Sequence, residues 1–513
     1  MLLYQTFLAT AQRLPDKVAL VDRSERIDYG ELRRRVDALA SALLDDGVTV
    51  GDRVVCLLEN SVEFAVGTLA TLALGAVCVP IGPLAKADKL AFILRDTRAV
   101  ALLTHEQLAS TWRPALADAF DAPWLRSLRV ASGAPAVEGE PRIRGWPAAG
   151  ASASASPRER SGSSNDLAFL VYTSGTTGVP KGVMLTDSNA SSAWTSITSW
   201  LGLRVDDVVG LALPAAFIYG LGNLMMSLML GATVVLERSA AFPLRLAEML
   251  VRERVTVFPG VPMQFASLLG LQNLSRYDFA AVRLLTNAAS ALPVAHVRRL
   301  QAAFPNAGLV MMYGLTECIR ASYLPPEEIE LHPGSVGRGV PNQAHWLVDE
   351  FGHRLPAGST GELVVRGPHV MAGYWERPDE TAERLAPGPA QSERVLHTGD
   401  IFRSDTDGYL YFVSRKDDII KTRGETVAPR EVENAIYLLD GVTGCAVVGV
   451  EDETLGHALK AFITLRPDCA LSARDIVKHC RMLLESYKVP KIVNIVEELP
   501  RTESGKIRHA SLR

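Results

Sequence analysis

Two kinds of hydrophobic pattern alternate along the chain. From Tyr29 to Leu44 the apolar residues recur at the spacing of a helix that buries one face. Val54–Leu58 and Ala76–Ile81 are short and almost uninterrupted apolar runs, as the buried strands of a parallel sheet are. Between them, Glu63–Leu74 has the helical pattern again. This alternation predicts a doubly wound α/β domain.

Two long segments carry no charge and are long enough to raise the question of a membrane span. Phe64–Ala85 runs for 22 residues and Val208–Leu236 for 29. Helix-breaking residues interrupt both, among them Gly75 in the first and Pro214 and Gly220 in the second. Each segment therefore predicts a helix, a turn and a buried strand. The N-terminus also lacks the pattern of a signal peptide, and we expect a cytoplasmic protein without a membrane span.

The C-terminal part of the chain has a rhythm of its own. Its pattern predicts, in order, a helix, two strands, a helix and a strand, at Arg430–Leu439, Cys445–Val450, Leu459–Leu465, Ala473–Leu484 and Ile492–Val496. These elements suffice for a small α+β domain. A charged cluster, Ser414–Asp418, follows the strand-like Tyr409–Val413. The sequence thus predicts two domains, residues 1–416 and 417–513.

Composition narrows the possible functions. The 513 residues exceed what one hydrophobic core supports, in agreement with at least two domains. The net charge of −4 gives no basic surface for nucleic acid, and no nucleic-acid partner is expected. The six cysteines include no CxxC pair, which argues against a zinc ribbon or a disulfide scaffold. A low-complexity run from Ala148 to Ser164 predicts a surface loop.

The strongest chemical signal is YTSGTTGVPKG at Tyr172–Gly182, directly after the strand-like Ala168–Tyr172. Its glycines let backbone N–H groups approach a polyphosphate closely, and its hydroxyls and one lysine add further donors. The spacing differs from GxxxxGK[ST], so this is not a Walker A loop. The alternative for such a loop taken alone is a solvated turn between a strand and the next element.

Further motifs follow along the chain, in the order in which they occur in the adenylate-forming superfamily. Together they make the chain resemble that superfamily. That superfamily comprises acyl-CoA synthetases, adenylation domains of peptide synthetases, and luciferases. The similar segments, which extend from about Gln5 to His509, are YTSGTTGVPKGVML, LPAAFIYGLG, YGLTE, GELVVRGPHVMAGYW, HTGD, SRKDDIIKTRGETVAPREVE and PRTESGKIRH. The resemblance is closest to acyl- and aryl-CoA ligases. It implies an α/β fold: a large N-terminal domain of layered parallel and mixed sheets with helices and a small barrel-like subdomain, and a small, mobile α+β C-terminal domain.

The resemblance implies a two-step reaction. A carboxylate attacks the α-phosphate of ATP to give an acyl-adenylate and pyrophosphate, and a thiol then displaces AMP. The implied nucleotide-binding residues are Thr173, Ser174, Gly175, Thr176, Thr177, Gly178, Lys181, Ala288, Ala289, Ser290, Tyr313, Gly314, Asp400 and Arg415. Among these, Tyr313 would stack on the adenine, Asp400 would bind the ribose, and Arg415 would reach the ribose or a phosphate.

Four residues are implied in the chemistry itself: Glu317, Thr316, Lys421 and Lys506. A carboxylate facing a triphosphate needs a cation between them, so Glu317 and Thr177 would hold Mg²⁺. Thr316 would donate to the α-phosphate, and Lys506 would offset the charge that develops there.

The C-terminal domain is implied to rotate between the two steps. Asp417 would be the hinge, Gly424 would line the tunnel for the thiol, and Lys421 would join the site in the second conformation. Two positions depart from the superfamily pattern: Ser414 replaces a usual glycine, and His509 replaces a usual arginine.

The acid pocket is implied to be mostly apolar and lined by Phe217, Ile218, Tyr219, Gly222, Asn287, Leu315 and Ile319, with Met263 nearby. Amino-acid-activating domains place Asp where Ile218 stands, to pair with the substrate ammonium. Because an unpaired ammonium in an apolar pocket is costly, we expect a neutral-tailed, non-amino carboxylic acid, aromatic or aliphatic. Asn287 either hydrogen-bonds the substrate or stabilises its own turn.

The acceptor stays open between CoA and a pantetheinylated acyl carrier protein. Hypothesis one is therefore an acyl- or aryl-CoA synthetase, and hypothesis two is a free-standing ligase that loads a carrier protein. A non-catalytic binding module of the same fold is disfavoured because Glu317, Asp400 and Lys506 are all present. The expected oligomeric state is a monomer or a homodimer.

Overall fold

The structure is a computed structural model that describes residues 2–23, 25–117, 124–131, 143–147, 162–174, 179–290, 292–390, 393–422, 425–452, 455–466, 469–501 and 507–512. The predicted low-complexity loop at 148–164 lies mostly outside the described residues.

Helices and strands alternate up to the glycine-rich loop, as the hydrophobic pattern predicts. The helices there are α1 (Leu3–Arg13), α2 (Tyr29–Asp45), α3 (Val62–Ala73), α4 (Ala87–Thr97) and α5 (Ala109–Ala117). The strands are β1 (Val18–Val21), β2 (Arg26–Asp28), β3 (Arg53–Leu57), β4 (Val77–Ile81), β5 (Ala101–His105), β6 (Ser127–Ala131), β7 (Ile143–Gly145) and β8 (Leu167–Ser174).

The alternation continues after that loop. The next helices are α6 (Asp187–Trp200), α7 (Ile218–Leu230), α8 (Pro243–Arg252), α9 (Pro262–Leu269), α10 (Val294–Ala303) and α11 (Pro378–Arg384). The next strands are β9 (Pro180–Thr186), β10 (Val208–Leu211), β11 (Thr233–Leu236), β12 (Val257–Gly260), β13 (Leu284–Asn287), β14 (Gly308–Tyr313), β15 (Ser322–Leu324), β16 (Arg338–Gly339), β17 (Ala344–Val348), β18 (Thr360–Arg366), β19 (Gly373–Tyr374), β20 (Leu385–Pro387), β21 (Arg394–Ser404) and β22 (Leu410–Arg415).

The C-terminal elements are strands β23 (Ile420–Thr422), β24 (Glu425–Val427), β25 (Val442–Asp452), β26 (Gly456–Leu465) and β27 (Ile492–Ile495), with helices α12 (Pro429–Ile436) and α13 (Ala473–Leu483). The predicted helix at Arg430–Leu439 is too long by three residues, because the chain turns through the left-handed Gly441 (φ 95°) to enter β25. The strands β25 and β26 pair along their whole length. Both are therefore longer than the apolar runs, Cys445–Val450 and Leu459–Leu465, from which they were predicted.

Two large sheets organise the N-terminal part. Within the described residues, one sheet has the strand order β16-β15-β14-β13-β12-β10-β11-β1-β2 and the other β19-β9-β8-β4-β3-β5-β6-β7. The central pairs of both are parallel. Antiparallel pairs lie at both ends of the first sheet and at the β19–β9–β8 end of the second, whose other end, β6–β7, is parallel. A separate antiparallel sheet of β17, β18, β20, β21 and β22 is the counterpart of the predicted small subdomain.

Side-chain alternation along the strands explains how the sheets stack. Val54 and Cys56 of β3 join a core that also contains residues of α2, α3, α6 and α7 and of the other large sheet. Val55 and Leu57 of the same strand face a second core, with α4 and α5. A third core packs α8, α9 and α10 on the far face of the other sheet. The result is a helix–sheet–helix–sheet–helix stack, with both sheets buried on both faces.

Both long uncharged segments resolve as predicted. Phe64–Ala85 contributes most of α3 and all of β4, and Val208–Leu236 contributes β10, α7 and β11. Among the described residues, no helix combines the length and the hydropathy that crossing a membrane requires.

Candidate active site

The glycine-rich loop joins the antiparallel strands β8 and β9, in which Thr173 pairs with Lys181. Residues Gly175, Thr176, Thr177 and Gly178 lie outside the described residues, as does the side chain of Ser174. The Lys181 ammonium is 3.8 Å from Glu380 Oε1 and 5.6 Å from the centroid of the Tyr374 ring. Strand pairing thus places this lysine beside β19, which carries Tyr374.

Tyr374 connects the loop lysine to Glu317. Its hydroxyl donates to Glu317 Oε1 at 2.7 Å, and the Met371 N–H donates to the Glu317 carbonyl at 2.8 Å. Burial and the nearby Glu317 carboxylate raise the pKa of Tyr374, so the phenol stays protonated and remains a donor. Thr316 is half-buried next to Glu317. Lys181 and Glu317, both predicted site residues, thus lie near the same tyrosine: Lys181 near its ring and Glu317 at its hydroxyl.

Tyr313 and Asp400 form a second pair. The Tyr313 hydroxyl donates to Asp400 Oδ2 at 2.6 Å, and the Tyr313 ring meets Phe402 edge-on at 4.7 Å. Asp400 is only 4% exposed, and Arg415 Nε lies 3.7 Å from its Oδ1. Burial and this carboxylate raise the pKa of Tyr313. The structure therefore brings together three predicted nucleotide residues, through a hydrogen bond that sequence reasoning did not foresee.

Glu362 supports the turn that presents Asp400. Its Oε1 accepts from the Gly399 N–H at 2.9 Å, and its Oε2 lies 3.5 Å from Lys416 Nζ. Burial alone would raise the pKa of Glu362, but hydrogen bonds from His397 and from the Gly399 N–H outweigh it and lower the pKa to about 2. Sequence reasoning missed this residue, which lies inside the GELVVRG motif.

The turn after β13 carries the predicted Asn287, Ala288, Ala289 and Ser290. Asn287 Nδ2 donates to the Ser290 carbonyl at 3.0 Å, which is the turn-stabilising alternative for this side chain. Its Oδ1 is buried and has no hydrogen-bond partner among the described residues. Ala289 has φ 71°, a left-handed conformation that an alanine adopts at a cost of about 1 kcal/mol or more.

The predicted acid-pocket residues lie around the start of α7 and the end of β14. Phe217 is the residue before α7, and the Tyr219 hydroxyl lies 2.7 Å from Thr286 Oγ1. Ile218, Tyr219 and Leu315 pack against the same core. At Gly222 a Cβ would lie 3.0 Å from Trp194 Nε1, so a larger residue would displace the tryptophan. Ile218, Tyr219 and Leu315 thus contribute to one hydrophobic core, and their role as an acid pocket stays a prediction.

Two residues after Glu317 the backbone is strained. Ile319 is buried and has φ 58°, an outlier conformation for a β-branched residue. The backbone of Ile319 also packs closely against Gly314. A Cβ at Gly314 would lie only 2.6 Å from the Ile319 carbonyl oxygen, so no larger residue fits there without a shift of the backbone. Strain of this kind concentrates at functional sites because the surrounding packing holds it in place.

Arg320, the next residue, was not among the predicted site residues. It is 6% exposed, its Cζ lies 4.8 Å from the centroid of the Tyr219 ring, and its Nε has no hydrogen-bond partner among the described residues. Burial lowers its pKa. A signal was present in the sequence: a single charge within the apolar run of Cys318, Ile319 and Ala321. Arginine is seldom buried unless it is paired.

The predicted C-terminal residues are described only in part. Lys506 and Gly424 lie outside the described residues, as does the side chain of Lys421 on β23. Asp417 belongs to a short 3-10 turn, Lys416–Asp418, directly after β22. His509 Nδ1 is 3.8 Å from Asp418 Oδ2, and its Nε2 is 3.8 Å from Glu433 Oε1. The histidine that departs from the superfamily pattern thus lies near the turn that carries the predicted hinge residue Asp417.

Comparisons with known proteins identify the family to which the chain belongs. The AMP-binding enzyme family matches residues 7–375, and the AMP-binding enzyme C-terminal domain matches residues 431–506. A long-chain-fatty-acid–CoA ligase of Salmonella typhimurium is 32% identical over all of this chain and 94% of its own length. A benzoate–CoA ligase of Thauera aromatica is 32% identical over 97% of this chain and 92% of its own length. The crystal structure of an anthranilate CoA ligase in complex with anthranoyl-AMP has a TM-score of 0.89 at 27% identity, covering 100% of this chain and 96% of its own.

Proposed function

The chain belongs to the AMP-binding enzyme family, and we propose that it activates a carboxylic acid other than an α-amino acid. It is an AMP-forming acid–thiol ligase of the adenylate-forming superfamily, close to the acyl- and aryl-CoA ligases, and it uses ATP and CoA. The observation that carries the proposal is the meeting of Lys181 and Glu317 at the Tyr374 ring, next to the Tyr313–Asp400 pair.

The residues divide the first step among them. Thr173, Ser174, the loop of Gly175, Thr176, Thr177 and Gly178, and Lys181 bind the phosphates. Asp400 and Arg415 hold the ribose side, while Tyr313, Gly314, Ala288, Ala289 and Ser290 border the base. Thr316 donates to the α-phosphate. In this arrangement the acid carboxylate attacks the α-phosphorus, the bond to pyrophosphate breaks, and the acyl-adenylate remains bound.

Magnesium fits the donor set around Glu317. Among the described residues there is no group of three or more His, Cys, Asp or Glu side chains that could cage a metal. One carboxylate together with substrate phosphates is the mode of binding that Mg²⁺ favours, so Glu317 and Thr177 are its proposed ligands. When bound, the ion neutralises phosphate charge during adenylation.

The second step needs the C-terminal residues. We assign residues 1–416 to the adenylation domain and 417–513 to a mobile domain that turns about Asp417. Lys506 serves the first step; Gly424 and Lys421 serve the second, in which the CoA sulfur attacks the acyl carbon and AMP leaves. The contact of His509 with Asp418 supports a hinge at this turn, because it ties the C-terminal end of the chain to it.

The pocket supports a non-amino acid. Ile218 opens α7 with an apolar side chain where an ammonium would need a carboxylate, and the nearby Arg320 is itself positive. Placing a substrate ammonium there would bury a second positive charge without a partner.

The test is pyrophosphate release over a panel of free acids, repeated with CoA and with a pantetheinylated carrier protein. The proposal requires acid-dependent pyrophosphate release and a CoA thioester as product. Thioester formation on the carrier protein alone would identify a carrier-loading ligase instead. Lys506→Ala should slow adenylation on the order of 10²–10³-fold while leaving the reaction of a supplied acyl-adenylate with CoA intact; adenylation at the normal rate would refute its role.

A further inference from the structure

Arg320 lines a cavity in the described part of the chain. This cavity has a volume of about 960 Å³ and lies between α6, the end of α7 and the segments 340–342 and 368–369. Seven of its lining residues are serine or threonine, six of them on α6. None of the described lining residues is acidic, and Arg320 is the only Arg or Lys among them. A cationic side chain therefore borders a largely apolar cavity, edged by hydroxyls, in which no described lining residue provides a counter-charge.

Four of the twelve buried polar atoms that have no hydrogen-bond partner among the described residues belong to residues that line this cavity. Buried atoms without a hydrogen-bond partner include Arg320 Nε, Trp200 Nε1, Ser196 Oγ and His369 Nε2, and all four residues line it. Guanidinium and indole nitrogens can only donate. Leaving a buried donor unpaired costs about 1–3 kcal/mol, more when it is charged. The occupant that would relieve this cost must bring acceptor oxygens.

The guanidinium is held in place from one side. Its Cζ lies 4.8 Å from the Tyr219 ring centroid, and the Tyr219 hydroxyl is fixed by Thr286. Stacking on a ring satisfies the face of the guanidinium but not its N–H groups, which lie in its plane. An acceptor that approaches from the cavity can therefore use these groups while the stack stays intact.

Arg320 is also within reach of the reacting end of the substrate. It follows Glu317 by three residues, so their Cα atoms are at most about 11 Å apart. An acid whose carboxylate is activated near Thr316 and Glu317 can extend its tail past Tyr219 to the guanidinium. A neutral hydrocarbon tail would leave the buried charge uncompensated, whereas an anionic tail group would pair with it.

We propose that Arg320 is a specificity-determining residue and that the activated acid carries a second anionic group in its tail, as a dicarboxylic acid does. This inference rests on the proposed function and replaces the expected neutral tail by a charged one. The guanidinium forms the charge-assisted hydrogen bonds to the distal group, and the hydroxyls of α6 solvate its remaining oxygens.

The test compares acids in matched pairs, each a monocarboxylate and a dicarboxylate of equal carbon number, over a series of chain lengths. Wild-type enzyme should favour one or more diacids on the order of 10- to 100-fold in kcat/KM for pyrophosphate release. Arg320→Met should abolish that preference by lowering the rate with the diacid, and Arg320→Lys should restore part of it. The matched control is Arg403→Met. Arg403 is an exposed residue of β21 whose Cζ lies 4.2 Å from the ring centroid of Tyr411 on β22, and its loss should not change the rate with either acid.

Three outcomes separate the two proposals. A wild-type preference for monoacids, or an equal loss for both acids in Arg320→Met, overturns the inference and leaves the proposed function standing. If no acid supports pyrophosphate release, the proposed function fails. In that event calorimetric titration of the same acids still decides the inference: diacid binding that weakens in Arg320→Met but not in Arg403→Met supports it, and equal binding to all three proteins refutes it.

Discussion

The two sides of the site differ in how their polar groups are satisfied. On the side that we propose binds the nucleotide, Tyr313 donates to Asp400 and Tyr374 donates to Glu317, so both carboxylates are hydrogen-bonded by the protein. On the acid side, Arg320 Nε and Asn287 Oδ1 are buried and have no partner among the described residues. The proposed nucleotide side thus has its carboxylates oriented by the protein, whereas the proposed acid side has polar groups that a substrate could pair.

This difference follows from what each side must recognise. ATP is the same for every enzyme of the family, so its binding groups can be oriented by fixed internal hydrogen bonds. The acid is the variable reactant, and its recognition depends on groups whose partner is the substrate itself. A site that leaves polar groups unpaired rejects acids that cannot pair them.

The largest expected effect tests the nucleotide side. Glu317→Gln removes the carboxylate that faces the phosphates and should lower kcat for adenylation on the order of 10²–10³-fold. Because the residue serves ATP and not the acid tail, the loss should be equal for every acid, measured as pyrophosphate release with at least two acids.

The exposed Glu330→Gln is the matched control and should keep the wild-type rate. A loss from Glu317→Gln that differs strongly between acids would erase the distinction between the two sides.

The next effect concerns pH on the acid side. Burial lowers the pKa of His369, a cavity residue that is 4% exposed, from 6.5 to about 4. The unfolded chain therefore binds a proton at higher pH than the folded chain does, and the stability that His369 contributes is complete above pH 6.5 and is lost as pH falls towards 4. The loss amounts to at most about 3 kcal/mol.

Thermal unfolding midpoints measured from pH 7 to pH 4 check this. His369→Gln should lose less stability than the wild type across that interval, because glutamine does not titrate. Parallel curves for the two proteins would mean that His369 already has a partner when protonated. On the nucleotide side the corresponding window lies lower, since Glu362 has its pKa lowered to about 2 and protects stability down to about pH 4.5.

The predictability of the two sides differs as well. The motif residues Lys181, Glu317, Tyr313 and Asp400 were predicted because the segments that contain them resemble motifs of the adenylate-forming superfamily. The hydrogen bonds that orient them were not predictable, because Tyr313 and Asp400 are 87 residues apart and Glu317 and Tyr374 are 57 apart. Their pairing depends on how β21 and β19 pack, which hydrophobic periodicity does not determine.

On the proposed acid side the apolar residues were predicted, but the buried Arg320 among them was not. Periodicity marks Cys318, Ile319 and Ala321 as core, and a charged residue among them is normally assigned to the surface. The left-handed Ile319 changes the direction of the chain at this point, and no local propensity predicts that conformation for a β-branched residue.

A smaller effect is expected at the ribose end of the nucleotide side. Asp400→Asn keeps an acceptor for Tyr313 but removes the charge beside Arg415. We expect KM for ATP to rise on the order of 10-fold to 100-fold with little change in KM for the acid, measured by steady-state pyrophosphate release. The exposed Asp407→Asn serves as control. If only KM for the acid rises, Asp400 belongs to the acid side of the site and not to the nucleotide side.

The smallest effect isolates a single oriented hydrogen bond. Tyr374→Phe deletes the hydroxyl that donates to Glu317 at 2.7 Å and leaves the ring beside Lys181 in place. Because a hydrogen bond to a charged group contributes about 1.5–3 kcal/mol and only part of it concerns the transition state, kcat should fall about 10-fold, equally for all acids. Tyr411→Phe removes a comparable bond to Asp405 outside the site and should leave kcat unchanged. If the Tyr374 variant keeps full activity, Glu317 is held by its backbone contact with Met371 alone, and the nucleotide side owes its order to packing and not to paired side chains.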